Sequence, residues 1–255
     1  GYGTDRFVQK HSASGGALYD MGVYHIAQLL YLMGHPQVKT ITGATHQEIG
    51  MYEDRAKVYD VEELGIGLVR LEGGITFFIE ESWAIHSSGG EIPLVAGSKG
   101  GIKLSPFGYF TTVADMPMDA TFDLGGTDRR WHACFPDTAC YDSPQHHWIA
   151  ALLGRVPLID TAGIALATMK ISEGIFLSQK LGREVTPAEA KAFQDCIMHL
   201  IVQKTTQYEL PFQFHTGLQH GFGNTLANSN PLHLNNLLFT YPEAKFVLFH
   251  GSYPF

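Results

Sequence analysis

Two rhythms of apolar positions divide the chain. In SGGALYDMGVYHIAQLLYLMGHP (14–36), Val23, Ile26, Ala27, Leu30 and Met33 recur at the helical period, and Gly34 and then Pro36 stop the run. VKTITGATHQ (38–47) reads as a strand. VEELGIGLVRLEGGITFFIEESWAIH (61–86) reads as two long strands around Gly73–Gly74, a hairpin. IPLVAGSKGGIKLS (92–105) reads as a second hairpin with Gly100–Gly101 in its turn. Residues 106–144 are rich in Asp, Pro, Gly and Thr and show no clear period. HHWIAALLG (146–154) predicts a short helix. TAGIALATMKISEGIFLSQKLG (161–182) predicts a longer one, with Thr161 as its N-cap and Gly182 just past its end. This is an α+β order, antiparallel strands followed by helices. Past Pro187 the rhythm changes. AKAFQDCIMHLIVQKTTQYEL (190–210) predicts a helix, PFQFH a strand, PLHLNNLLFTY (231–241) a helix and KFVLFH a strand, the order of a parallel α/β unit. We therefore expect a module over 1–187 and a second over 188–255.

Charge sharpens that division. The formal net charge is −8, yet residues 190–255 carry three Lys against three Asp plus Glu, so the excess lies upstream. An acidic chain excludes a basic nucleic-acid footprint. The three cysteines, Cys134, Cys140 and Cys196, are odd in number and none pairs at two-residue spacing, which predicts reduced thiols and a cytoplasmic setting. No apolar run reaches the ~18 residues of a membrane span. The chain begins at Gly1 rather than Met, and we expect further protein before it.

Two constellations carry candidate chemistry. Asp20 and Tyr24 are four residues apart at a helix start, a spacing that puts them on one face. The helix dipole favours the charged carboxylate there, and a neighbouring phenol can exchange a proton with a substrate hydroxyl or carbonyl. Gly15 and Gly16 permit close approach of backbone or ligand. By chemistry alone the same residues also read as a helix-start carboxylate beside a packed tyrosine. In the tail, His215 and His250 each end an apolar run ahead of a glycine-containing turn. Parallel strands gather ligands at such ends, and imidazole suits zinc and similar metals. The alternative is one polar strand-end histidine in each of two ordinary loops.

SGGALYDMGVYHIAQLLYLMG closely resembles the GGAL-x-D-x-G-x-(H/Y) element of the Gfo/Idh/MocA oxidoreductases. The hairpin-rich middle and HHWIAALLGRVPLIDTAGIALATMKISEGIFLSQKLGREV (146–185) resemble the C-terminal domain of that family. The resemblance implies an open antiparallel sheet with helices on one face, serving substrate binding and homo-oligomer contacts. It also implies a sugar or polyol substrate and NAD or NADP bound by a separate Rossmann domain. It casts Asp20 and Tyr24 as catalytic, with Gly16, His25 and His147 on the substrate side. No G-x-G-x-x-G opens a βαβ unit here, so the cofactor-binding half is absent and the isolated chain is expected to be inactive.

The stretch from FQDCIMHLIVQK to KFVLFHGSYP resembles the amidohydrolase superfamily, whose (β/α)8 barrel carries metal-proximal histidines after its fifth and sixth strands. His215 and His250 match those positions. The first-strand H-x-H pair and the late aspartate of that family are absent. Residues 190–255 supply 66 residues where a barrel takes ~250, and two histidines fall short of the ~3 protein ligands of catalytic zinc. Three readings follow. The chain is an oxidoreductase substrate domain fused to a partial hydrolase segment, an inert binding or oligomerisation module, or a metal-dependent hydrolase. His146, the Glu62, Glu63, Glu80 and Glu81 group, and the three tryptophans are expected at solvated or packing positions.

Overall fold

The structure is a computed structural model and describes residues 7–50, 52–88, 92–215 and 230–249. The chain separates into two compact units, Gly1–Asp123 with Thr161–Lys191, and Leu124–Asp160 with Ala192–Phe255.

In the first unit a short helix α1 (Lys10–Ala13) precedes a π-helical turn over Leu18–Gly22, which runs into α2 (Val23–Leu32). Strand β1 (Val38–His46), a helical turn α3 (Glu53–Ala56), β2 (Leu64–Leu71) and β3 (Thr76–Ser82) follow. The three strands form one antiparallel sheet in the order β1-β2-β3, with Ile41 opposite Val69 and Gly67 opposite Ile79. Gly73 and Gly74 close the β2–β3 hairpin at positive φ, 76° and 78°, a conformation glycine adopts without a Cβ penalty. The expected 61–86 hairpin is therefore observed.

Alternation gives this sheet one buried face. Ile41, Val69, Leu71, Phe77 and Ile79 point inward and meet Ile26 and Leu30 of α2. They also meet Ile171 and Ile175 of the long helix α6 (Thr161–Leu181). The helix sits close because glycines leave room for it. A Cβ at Gly174 would lie 2.3 Å from Ile41 Cδ1, and one at Gly67 would lie 2.7 Å from Ile175 Cδ1. On the other face Leu68 and Phe78, directly paired, stay exposed.

A second sheet, β4 (Leu94–Gly97), β5 (Gly100–Lys103), β6 (Gly108–Val113) and β7 (Met116–Ala120), is an antiparallel meander. The 92–105 hairpin is present, but Ser98 and Lys99 make its turn while Gly100 and Gly101 open β5. The β6–β7 hairpin was not legible. Its turn residues, Ala114 and Asp115, both take positive φ (51° and 62°), where Asn-Gly is the usual signal. Among the described residues the expected single open sheet of this unit is corrected to two sheets. Among the described residues β3 and β4 are not hydrogen-bonded neighbours, and a groove of about 510 Å³ lined by Phe77, Ile79, Pro93 and Val95 lies along them.

In the second unit, α4 (Leu124–Cys134) leads through a 3-10 turn (Pro136–Tyr141) to α5 (Pro144–Leu152), capped by Ser143, whose hydroxyl accepts from His146 N–H. Helix α4 buries no residue, which explains its missing apolar period. Helix α6 (Thr161–Leu181) returns to the first unit. It ends on Gly182 at φ 65° as expected, but Thr161 is its first helical residue rather than its cap. Helix α7 (Pro187–Gln207), strand β8 (Phe212–His215), a 3-10 turn (Pro231–Leu234) continued by α8 (Asn235–Thr240), and strand β9 (Phe246–Phe249) complete the chain. β8 and β9 pair in parallel, Phe212 with Phe246 and His215 with Phe249. The helix–strand–helix–strand order read for the tail is observed, and this two-stranded pair is all the sheet described there. Among the described residues no helix is long and apolar enough to cross a membrane.

Candidate functional site

The first unit gathers its polar side chains around the π-helical turn. Strands β2 and β3 pair with Leu64 opposite Ser82, so the residues flanking that pair, Glu62, Glu63 and Trp83, emerge at the same end of the sheet. Trp83 N–H donates to the Glu63 carbonyl at 2.8 Å and locks that end. The turn is fastened to it at three points. The Glu62 carboxylate accepts from Gly16 N–H at 2.8 Å and from Leu18 N–H at 3.1 Å, and its carbonyl accepts from Ala17 N–H at 3.2 Å. A Cβ at Gly16 would come 1.9 Å from that carbonyl oxygen. The close approach that Gly16 permits is thus taken up by backbone.

Asp20 follows within the turn, and its Oδ2 accepts from the Trp83 indole N–H at 3.0 Å. His25 Nδ1 lies 3.0 Å from both carboxylate oxygens of Glu81. Tyr24 is 68% exposed. The spacing argument placed Asp20 and Tyr24 on one α-helical face. Asp20 lies inside the π-helical turn, and Tyr24 lies in the first turn of α2 that continues it. The structure records no hydrogen bond between the two.

Expectations for the acidic group are corrected. Glu62, Glu63 and Glu81 are only 6%, 3% and 4% exposed, and Glu80 alone faces solvent. Burial of three carboxylates is sustained by donors: two backbone N–H groups for Glu62, Ile49 N–H for Glu63 at 3.0 Å, and His25 for Glu81. Burial raises the Glu62 pKa, and the N–H bonds from Gly16 and Leu18 partly oppose that rise. Behind the turn, Tyr19 donates to Glu173 of α6 and stacks on Phe176. Burial, then the Glu173 carboxylate, push its phenol far above the usual range. A small polar cavity of about 200 Å³ is lined by Lys10, Gly15, His46, Asp60 and Glu62.

The other predicted site residues lie apart. His147 belongs to the second unit, buried at 8% exposure. Its Nε2 accepts from Ile159 N–H at 3.1 Å and its ring stacks on Tyr141 at 5.0 Å. Its neighbour His146 is exposed, as expected of adjacent histidines on one helix. Trp131 and Trp148, read as packing residues, are instead 56% and 57% exposed. His215 ends β8, and His250 lies outside the described residues. Among the described residues no group of three His, Cys, Asp or Glu side chains is placed to hold a metal ion. GSKGG (97–101) is the β4–β5 turn and not a dinucleotide loop.

Sequence reasoning missed Glu62, Glu81 and Trp83. For Glu81 the signal was present, because it shares strand parity with the buried Phe77 and Ile79.

Comparison with known proteins bears on this arrangement. The chain is similar to D-glucoside 3-dehydrogenase of Escherichia coli, 28% identical over 114 residues that make up 41% of this chain and 32% of that protein. It is also similar to protein fluG of Emericella nidulans, 52% identical over 52 residues, 20% of this chain and 6% of that protein. The chain therefore spans a third or less of the length of these relatives. Among solved structures, levoglucosan dehydrogenase in complex with NADH and levoglucosan shares the fold, with a TM-score of 0.54 and 18% identity across 72% of this chain and 53% of that one. Residues 2–103, which hold the π turn, Glu62, Glu81 and Trp83, match the GFO/IDH/MocA C-terminal domain model.

Proposed function

We propose that this chain is the substrate-binding half of an NAD(P)-dependent sugar or polyol oxidoreductase. The observation that carries the reading is the Asp20 carboxylate, held by the Trp83 indole on a turn that belongs to the matched segment. The relatives' names point the same way: one is a glucoside dehydrogenase, and the similar fold holds NADH and levoglucosan. The nicotinamide cofactor supplies the hydride acceptor in such chemistry. The sequence holds no G-x-G-x-x-G, and the proposal therefore gives its own residues a narrower task. Asp20 accepts a hydrogen bond from a sugar hydroxyl through the lone pairs Trp83 leaves open, fixing the sugar's orientation. The exposed Tyr24 phenol gives or takes the hydroxyl proton at its Oη, with His25 as a further substrate-side residue.

The test is saturation-transfer NMR with levoglucosan. Wild-type protein should show transfer and the Asp20→Asn variant should lose it; equal transfer in both overturns the assignment. In the same series, NADH fluorescence should show no micromolar binding to the isolated chain.

A second reading, an association module, is favoured by the exposed Leu68–Phe78 pair on the outer sheet face, an apolar surface suited to a homo-oligomer contact. For the tail we propose a module over 188–255 derived from an amidohydrolase-like barrel. The parallel β8–β9 pairing supports it, with His215 and His250 as inherited metal-ligand positions.

A further inference from the structure

We propose that Glu62 is the positioning residue for Asp20, a buried carboxylate that latches the backbone from which the substrate-binding turn grows. The inference rests on the reading of Asp20 given above.

A helix start leaves its first backbone N–H groups without partners inside the helix. Here the first turn begins at Ala17, and the N–H groups of Gly16 and Leu18 go to the two oxygens of one side chain, while that of Ala17 goes to the same residue's carbonyl. One residue thus takes three consecutive donors. Its position matters as much as its count of bonds. Glu62 stands two residues before β2, and Trp83 stands one residue after β3, at the paired end of the same two strands. The backbone of the turn is therefore fixed from β2, while the Asp20 side chain is fixed from β3. Asp20 is reached from both sides, and the sheet end sets the separation of the two anchors.

The residue type fits the task. A carboxylate offers acceptors on both oxygens, whereas an amide would turn one donor toward an N–H group. An aspartate is one methylene shorter. A carboxylate 6% exposed is costly to bury, and the burial here serves no ion pair: no salt bridge is recorded for Glu62 among the described residues. Gly16 completes the fit, because any side chain there would strike the Glu62 carbonyl.

The test reads the Trp83 indole N–H by NMR in the whole chain, its resonance assigned with Trp83→Phe. The Asp20→Ala variant supplies the position of an indole released from its acceptor. In Glu62→Gln the indole resonance should move toward that released position while the thermal unfolding transition is retained. In Glu62→Asp it should move less. An indole unmoved in a folded Glu62→Gln overturns the proposal.

Should Glu62→Gln fail to fold, the wild-type protein answers. Lowering the pH protonates Glu62 and should displace the indole with the same midpoint as the Glu62 carboxyl carbon. The charged or titratable groups facing Glu62 are Lys10, Tyr19, His46 and Asp60, and each is followed in the same titration. An indole that stays fixed while Glu62 titrates overturns the proposal. Levoglucosan transfer separates the two ideas. If Glu62→Gln moves the indole and leaves transfer intact, the latch stands and the sugar-binding role of Asp20 falls. If transfer depends on Asp20 but the indole ignores Glu62, the reverse holds.

Discussion

Substituting Gly174 by alanine sets two effects of similar size against each other. Gly174 lies inside α6, where alanine is favoured over glycine by about 1 kcal/mol. The new Cβ would stand 2.3 Å from Ile41 Cδ1 and 3.1 Å from its Cβ and Cγ2. Ile41 is fully buried. Its backbone is pinned as well, by pairing with Val69 and by bonds of 2.8 Å and 2.9 Å with Val185. The strand has nowhere to go, so the overlap is met by overpacking, which costs about 1–3 kcal/mol. The net expectation is destabilisation of about 1 kcal/mol. Ile41→Val removes the Cδ1 atom and by itself costs about 0.5–1.5 kcal/mol. With that atom gone the remaining contacts are only tight, and the helical gain of alanine emerges. The double variant should therefore be at least as stable as Ile41→Val alone, a favourable coupling of about 1 kcal/mol or more. Urea unfolding of the four proteins by far-ultraviolet circular dichroism measures this. At a slope of about 2 kcal/mol per molar, the Gly174→Ala midpoint falls by about 0.5 M. Effects that add to within ~0.3–0.5 kcal/mol would show that α6 and β1 do not meet through these atoms.

Two further expectations concern the chain's second half. The Arg183 guanidinium first, then the Thr186 backbone N–H and hydroxyl, hold Glu189 down at a pKa of about 2 from an ordinary 4.5. A depressed carboxyl favours the fold above the unfolded value and loses that contribution as pH falls through the folded one, so the window runs from about 4.5 to about 2. A carbon-detected titration should place the Glu189 midpoint near the lower end, and Arg183→Ala should raise it. For His215 and His250, metal analysis of purified protein should find well under one equivalent of zinc. A full equivalent that disappears in His215→Ala would establish a metal site instead.

What could be read in the sequence followed burial. The β2–β3 hairpin and α6 each expose one clear period because one face of each meets the core around Ile41, Val69 and Ile175. The β4–β7 meander and α4 lack such a face. In β6 and β7 only Gly108 is buried, so no alternation was there to find, whereas the β4–β5 hairpin was readable from the glycines around its turn. The candidate site was half legible. Asp20 stood in a recognisable motif, but the π-helical form of the turn that holds it is a matter of backbone bonding that no residue pattern announces. Glu62 and Trp83 become neighbours of Asp20 only through strand register, a relation between residues 63 positions apart in one case. Glu81 was readable by parity and was misjudged by type, because charged residues are almost never buried unless paired.

The left-handed turn at Ala114 and Asp115 has a consequence for how the molecule breathes. Two residues with side chains hold a conformation that suits glycine and asparagine, in a sheet with almost nothing buried. The β1–β3 sheet, by contrast, is tied to α2 and α6 through side chains with no exposed surface. Local opening draws on the least buried parts first. The two sheets therefore occupy different rungs of one ladder of partial unfolding. Amide hydrogen exchange is therefore expected to be faster in β4–β7 than in β1–β3, with the turn that carries Asp20 protected together with the core beneath it.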